Sequence, residues 1–355
     1  MPSITAPAKI LITGVNSYVG AHVAQDLLDR GFTVVGTVRS SSKGDDITRC
    51  FIQYGDRFSY TIVEDISQPT AFDKLLSTGK FDGVAHVAAP VPRSSSSASS
   101  KDSALQEIFN ASAEGNLNLL RSIKAHGHTI KRVVITSSAF AALQFQPGVK
   151  HTEAHWNDES VRIVEEKGET ATPLEHYAAS KSLAERAAWK FMEDNQTEVN
   201  FDLVTVLPVS VIGAPIDDKM PHEQLGNVTI LFDRLKLLST ETPLSEISTN
   251  IVHVKDVAAL HSESFIQPVA SGHRVIGAAA DPSWQDIYDA LNEEPAFPGV
   301  PKGNPGVGSR HDEESLVWDA SFAKSLLGRN LIGTRAAVRE SARYCQVQGL
   351  EFVRA

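Results

Sequence analysis

Short apolar runs alternate with helical spacing through the first two-thirds of the chain. Residues 9–13 (KILIT), 33–38 (TVVGTV), 59–63, 83–87 (GVAHV), 132–136 (RVVIT) and 201–207 (FDLVTVL) are rich in β-branched side chains. Continuous runs of that kind suit strands buried on both faces. Residues 21–30 (AHVAQDLLDR), 105–126 and 176–194 instead repeat their apolar positions at helical spacing. Strands alternating with helices require right-handed crossovers and a parallel sheet, so the pattern predicts a doubly wound α/β fold of the Rossmann type.

Two later segments, 250–254 (NIVHV) and 274–277 (RVIG), read as strands that return to this sheet, with Lys255 and Asp256 opening a helix after the first. Residues 212–248 and 281–355 differ in character, with many Pro and Gly among helical stretches. The expected organisation is a dinucleotide-binding domain of residues 1–211 plus 249–280, and a smaller C-terminal substrate lobe of residues 212–248 plus 281–355. Such a lobe closes over the carboxyl ends of the strands, where open α/β sheets bind ligands. A Ser-rich stretch, 93–103 (RSSSSASSKDS), follows the fourth strand and reads as a solvated connector.

Composition removes several function classes. Of 355 residues, 42% are hydrophobic and 21% charged, which is ordinary for a soluble globular protein. The net charge of -10 leaves no excess of Lys and Arg to neutralise phosphates, so a nucleic-acid partner is not expected. No window approaches the ~20 apolar residues that span a bilayer, and the first residues (MPSITAP) lack the basic and apolar parts of a signal peptide. Two cysteines, Cys50 and Cys345, are too few for a disulfide framework or a metal cluster. A cytoplasmic chain without metal is the expectation.

The first strand runs into Gly14, Val15, Asn16, Ser17, Tyr18, Val19 and Gly20, close to a glycine fingerprint at a strand-to-helix turn. Gly14 permits the tight turn and Gly20 close helix packing, while the helix N-terminus offers N–H groups to a pyrophosphate. Ser17 stands where a middle glycine is usual, and its hydroxyl can donate to a phosphate. NAD-binding folds usually carry an acid at the end of the second strand. This chain has Arg39 there, with Lys43 four residues later. A guanidinium attracts the extra phosphate of NADP, so NADP(H) is the predicted cofactor. Asp65 and Ile66, ending the third strand, suit the adenine, and Ala88 and Ala89, ending the fourth, let the backbone approach the cofactor.

Tyr177 and Lys181 (YAASK) are four apart on a helix, so their side chains emerge together. A free tyrosine, with pKa near ~10, is a poor acid–base catalyst at neutral pH. A neighbouring ammonium stabilises the phenolate. A hydroxyl near the carbonyl oxygen completes the set, and Ser137 and Ser138, at the end of the RVVIT strand, are the candidates. The pair alone is common by chance. Its force comes from order: glycine turn, strand-end Arg, strand ending in Ser-Ser, then Tyr-xxx-Lys.

With those motifs in place, the chain resembles the extended short-chain dehydrogenase/reductases, in the branch with dihydroflavonol reductases, cinnamoyl-CoA reductases and fungal carbonyl and methylglyoxal reductases. TGVNSYVG, VVGTVRS, VEDI, VAHVAAP, RVVITSS, YAASKSLAERAAWKFMEDN, VLPVSVIGAP, NIVHVKDVAALH and GNPGVGSRH carry the resemblance, which covers nearly the whole chain. It implies that Tyr177 is the proton donor, Lys181 its helper and ribose ligand, and Ser138 the catalytic serine. It also implies that Pro208 and Val209 lie beside the nicotinamide, and that Val91, Pro92, Phe140 and Val211 lie near the substrate. Two positions depart from the family pattern: Ser17, and Ala111 in place of a Pro common in the fungal branch.

The reaction so implied is reversible reduction of an aldehyde or ketone by NADPH. The substrate is expected to be a neutral, fairly hydrophobic carbonyl compound, and the protein a monomer or homodimer. Two other readings compete: a sugar-nucleotide epimerase or dehydratase on the same fold, and a dinucleotide-binding regulator without catalysis.

Overall fold

The computed structural model describes residues 3–89, 101–146, 148–220, 222–238, 242–307 and 315–350, with side chains for all of these except 101–112, 222 and 223. Its strands are β1 (Lys9–Thr13), β2 (Thr33–Val38), β3 (Phe58–Ile62), β4 (Gly83–His86), β5 (Arg132–Thr136), β6 (Lys150–His151), β7 (Asp202–Pro208), β8 (Ser210–Ile212), β9 (Ile251–His253), β10 (Arg274–Gly277) and β11 (Val317–Trp318). The helices are α1 (Tyr18–Asp29), α2 (Ser41–Cys50), α3 (Asp73–Thr78), α4 (Lys101–His126), α5 (Asp158–Lys167), α6 (Pro173–Asp194), α7 (Asn227–Leu237), α8 (Val254–Ile266), α9 (Trp284–Asn292), α10 (Ser321–Leu327) and α11 (Thr334–Val347).

Seven parallel strands form the main sheet in the order β10-β7-β5-β4-β1-β2-β3. The order reverses between β1 and β4, which opens a crevice at their carboxyl ends. Both faces are buried, as the unbroken apolar runs require. Ile10 and Ile12 of β1 join one apolar cluster while Leu11, between them, joins the other. Val134 of β5 and its neighbours Val133 and Ile135 divide in the same way. α1 and α8 pack together over one face; α4 and α6 pack together over the other.

One strand lies elsewhere than expected. β10 does join the main sheet, pairing Arg274 with Thr205 at the edge of β7. The 250–254 run does not: β9 pairs with β8 in a separate two-stranded parallel ladder, Val252 opposite Val211. The place beside β7 is taken by β10, and the chain leaves β7 at Pro208, which has no N–H to give a ladder. β8 therefore extends past the carboxyl end of the sheet, and β9 follows it there.

No helix among the described residues is long and apolar enough to cross a membrane. Among the described residues no group of His, Cys, Asp and Glu could hold a metal ion. Both cysteines are free. Burial pushes both thiols up, Cys345 to about 11, so neither is a reactive thiolate at neutral pH.

Candidate active site

The crevice begins at the glycine turn. Gly14 takes φ +66, a left-handed conformation that favours glycine, and a Cβ there would lie 3.1 Å from the Ala88 backbone. The ends of β1 and β4 thus approach closely at the point where strand order reverses. Gly20 serves the turn itself: a Cβ on it would stand 2.3 Å from the Gly14 carbonyl oxygen. Ser17 caps α1, its hydroxyl oxygen accepting from the Gly20 N–H at 3.1 Å. That leaves the Ser17 proton to donate outward. Tyr18 turns the other way, with its ring buried and its hydroxyl donating to the Gly213 carbonyl at 2.8 Å. Only the backbone of Tyr18 and Val19 remains to face a pyrophosphate. The bare cradle and the free amide end of α1 fit a dinucleotide.

Arg39 and Lys43 are both exposed at the end of β2 and the start of α2, and neither pairs with an acid among the described residues. Ser40 stands at the N-cap of α2 but makes no side-chain cap bond, and the first turn holds no acid. Two free cations and an uncapped helix N-terminus suit a phosphate. The Asp65 carboxylate accepts from the Ser67 N–H at 2.9 Å, the Ser67 hydroxyl at 2.6 Å and the Gln68 amide at 3.2 Å, so it orders its own turn. Ile66 is buried in the core.

Tyr177 lies one turn into α6, whose start is firmly set. Thr172 and Glu175 form a reciprocal capping box, and Pro173 opens the first turn. The Lys167 ammonium, 2.8 Å from Glu175, holds that carboxyl at about 2, well below the usual range. Further along, the Lys181 Nζ lies 5.8 Å from the centre of the Tyr177 ring. Tyr177 is 44% exposed. Neither its hydroxyl nor the Lys181 ammonium has a hydrogen-bond partner among the described residues. Both line a cavity of about 330 Å³, with Ala88, Ala89, Thr136 and Ser137 from the strand ends. Under it, His86 is buried and hydrogen-bonded to Thr13 at 2.7 Å. Burial, with the Lys181 charge added, lowers His86 to about 3, so it stays neutral and takes no part as a base.

The two serines divide clearly. Ser137 donates to the Glu185 carboxylate at 2.7 Å and is spoken for. Ser138 accepts a long bond from the Phe140 N–H, 3.3 Å, and its proton has no acceptor among the described residues. Ser138 thus keeps a free proton, but its side chain is buried and lines neither that cavity nor the larger one bordered by Phe140, whereas Ser137 lines the one with Tyr177 and Lys181. Phe140 follows Ser138, with its ring standing edge-on to Tyr177 at 5.8 Å. The Asn157 amide fixes this loop by donating to the Phe140 carbonyl at 2.8 Å.

Phe140 also borders a second cavity, of about 470 Å³, whose wall includes Val209, Ser210, Glu246, Asn250, Leu316 and Trp318. Val209 thus faces this space, its N–H bonded to the Gly277 carbonyl at 3.1 Å. Pro208 ends β7 just before it. Val211 does not line it: the side chain is buried in the core, and the wall here is made by Val209 and Ser210. Val91, Pro92 and the Ser-rich stretch from Arg93 to residue 100 lie outside the described residues, as does the side chain of Ala111.

Several contributors carry no sequence signal strong enough to single them out. Asn116 of α4 lines the first cavity and donates to the Ala184 carbonyl at 3.0 Å. Glu185, one turn beyond Lys181, is buried and accepts from Ser137, Thr205, Trp189 and Arg274. Its spacing from Tyr177 and Lys181 along one helix was the available clue.

Similarity to known proteins agrees with this geometry. The NAD dependent epimerase/dehydratase family model matches residues 10–276. The NADPH-dependent methylglyoxal reductase GRE2 of Saccharomyces cerevisiae is 30% identical over 346 residues, 94% of this chain and 97% of its own. Ketoreductase adrE of Penicillium rubens is 35% identical over 337 residues, 92% of each chain. The crystal structure of yeast methylglyoxal/isovaleraldehyde reductase Gre2 complexed with NADPH matches with a TM-score of 0.81 at 29% identity, over 96% of this chain and 99% of that one. The chain belongs to the NAD dependent epimerase/dehydratase family.

Proposed function

We propose that this protein reduces an aldehyde or ketone to an alcohol with NADPH, reversibly, using Ser138, Tyr177 and Lys181. The observation that carries the reading is the Tyr177 hydroxyl and Lys181 ammonium, both without protein partners among the described residues, lining one cavity at the strand ends. Bound NADPH supplies the hydride. Ser138 donates a hydrogen bond to the carbonyl oxygen and holds it as negative charge develops. Tyr177 gives its phenolic proton to that oxygen, and the Lys181 ammonium stabilises the phenolate left behind. Arg39, Lys43 and the start of α2 would hold the 2′-phosphate. The amide end of α1 would hold the pyrophosphate, with the Ser17 hydroxyl as a further donor. Asp65 and Ile66 would serve the adenine, and Ala88, Ala89, Pro208 and Val209 the nicotinamide.

We assign residues 212–248 and 281–355 to a lobe that closes over the substrate, and place the protein in the cytoplasm as a monomer or homodimer. A sugar-nucleotide epimerase or dehydratase needs cations for a diphosphate, and the described wall of the larger cavity has none. The deciding experiment follows NADPH and NADH oxidation against aldehydes, α-dicarbonyls, β-ketoesters and aryl ketones. Turnover with NADPH that falls by about 10²–10⁴ in Tyr177→Phe supports the reading. Near-normal turnover in Tyr177→Phe refutes the assigned role, and tight NADPH binding without turnover by the parent protein identifies a regulator.

A further inference from the structure

We propose that the 470 Å³ cavity selects carbonyl compounds that carry a hydrogen-bond donor remote from the reacting carbon, and that Glu246 recognises that donor; this rests on the reductase reading above. Cavities of about 300–1,000 Å³ enclose drug-sized ligands. A three-carbon dicarbonyl would leave most of this one to water. Phe140, Leu316 and Trp318 supply apolar walls, so a ring-sized skeleton fits between the Ser138 loop and β11.

The polar part of the wall is largely committed to itself. The Trp318 indole N–H donates to Asn250 Oδ1 at 3.2 Å, and the Asn250 amide donates to the Leu316 carbonyl at 2.8 Å. The Ser210 and Thr249 hydroxyls pair at 3.0 Å, and Ser248 donates to the Pro282 carbonyl at 2.8 Å. Glu246 is the exception. Its carboxylate makes no ion pair or side-chain hydrogen bond among the described residues, and a carboxylate only accepts. No Lys, Arg or His is among the described residues that line the cavity. Arg234, on the neighbouring helix, is turned to the Ser248 carbonyl and lies over the Trp284 ring instead. Among the described lining residues, the exposed Glu246 thus adds the single charge, a negative one, to a wall otherwise apolar or paired with itself. It favours a hydroxyl or ammonium on the substrate and disfavours a carboxylate.

The test uses four aryl ketones of one skeleton, differing at a position remote from the carbonyl: hydrogen, hydroxymethyl, aminomethyl and carboxylate. kcat/KM with NADPH is measured for the parent, Glu246→Gln and Glu246→Lys, and each value is divided by that variant's value for the unsubstituted ketone. Any effect common to all substrates then cancels. In the parent, the ammonium and hydroxyl compounds lead and the carboxylate trails, with charge steps of about two- to fivefold, the scale of an exposed ion pair. Added salt narrows the charge steps. Glu246→Gln flattens the order and Glu246→Lys inverts it, placing the carboxylate first. The same order in parent and Glu246→Lys overturns the proposal. Binding of the four ketones, read by quenching of tryptophan fluorescence, ranks them without turnover. A parent that binds in this order yet oxidises no NADPH would refute the reductase reading and leave the recognition by Glu246 standing.

Discussion

Replacing Glu185 by Gln removes one charge from the most connected side chain of the site. Its Oε2 accepts from Ser137 at 2.7 Å and from Arg274 Nη2 at 3.1 Å. Its Oε1 accepts from Thr205 at 2.7 Å, Arg274 Nε at 2.7 Å and Trp189 at 3.2 Å. Both partners of the ion pair are buried, Arg274 at 7% and Glu185 at 1% side-chain exposure. Gln keeps the shape but turns one acceptor into a donor that faces donors, and it leaves the Arg274 charge without its counter-ion. Breaking a buried pair in this way costs about 3–5 kcal/mol, a large share of the ~5–15 kcal/mol that holds a domain folded. With an unfolding entropy of ~2.1 cal/mol/K per residue, the melting temperature should fall by about 5 °C.

The catalytic effect should exceed what that loss of stability explains. Ser137 precedes Ser138, and freeing its hydroxyl lets the neighbouring backbone move; a displacement of about 1 Å can cost ~10²-fold in rate. Thermal melts, kcat on a carbonyl substrate and NADPH affinity together test this. The expected result is a lower melting point and a lower kcat with NADPH affinity nearly kept. A Glu185→Met/Arg274→Met double variant should melt higher than Glu185→Gln, since no lone charge remains buried. A Glu185→Gln protein that melts within about 1 °C of the parent and keeps its kcat would refute the reasoning.

Three further outcomes can be read from the geometry. Ser138→Ala should lose about 10²–10³ in kcat with little change in melting point, whereas Ser137→Ala should cost about 1.5–3 kcal/mol of stability, the scale of a buried hydrogen bond to a charge, and share the kcat loss of Glu185→Gln; steady-state kinetics and melts on both variants separate the two. Arg39→Glu should lower the ratio of kcat/KM for NADPH to that for NADH by about tenfold or more, because a carboxylate repels the phosphate that a guanidinium attracts; an unchanged ratio would remove Arg39 from the cofactor site. Finally, burial lowers His22 and His261 to about 4 and His86 to about 3 in the folded protein. The unfolded chain binds those protons near 6.5, so stability is full above that pH and falls as pH drops toward 4, by about 4 kcal/mol for the three at pH 5.5. Denaturant melts between pH 7.5 and 5 check the slope, and a flat profile would show that these rings are not held neutral.

Tyr177, Lys181 and Arg39 were legible because local rules place them. Two side chains four apart on a helix emerge together, and a residue ending a strand of a parallel sheet meets the ligand edge. Glu185 shares that helical spacing, but the rule does not say what its carboxylate holds. Apart from Trp189 on its own helix, its donors stand 48, 20 and 89 residues away, just past β5 and on β7 and β10, and only the sheet order brings them to one carboxylate. The 250–254 run reads as a strand correctly, yet an apolar run looks alike in a seven-stranded sheet and in a two-stranded ladder; the occupancy of the β7 edge decides, and that depends on β10. The substrate wall illustrates a finer limit. Side chains on a strand alternate between faces, so a shift of one residue exchanges wall for core. The resemblance points to Val211, whereas the chain puts Val211 inside and Val209 with Ser210 at the cavity. What sets that register is the ladder of Ser210 with Ile251 and Val211 with Val252, a pairing across some forty residues that no local pattern announces. Chemistry carried by one helix or one strand end is thus readable in advance, while chemistry assembled across segments, including the Glu246 and Trp318 wall, waits on the tertiary fold.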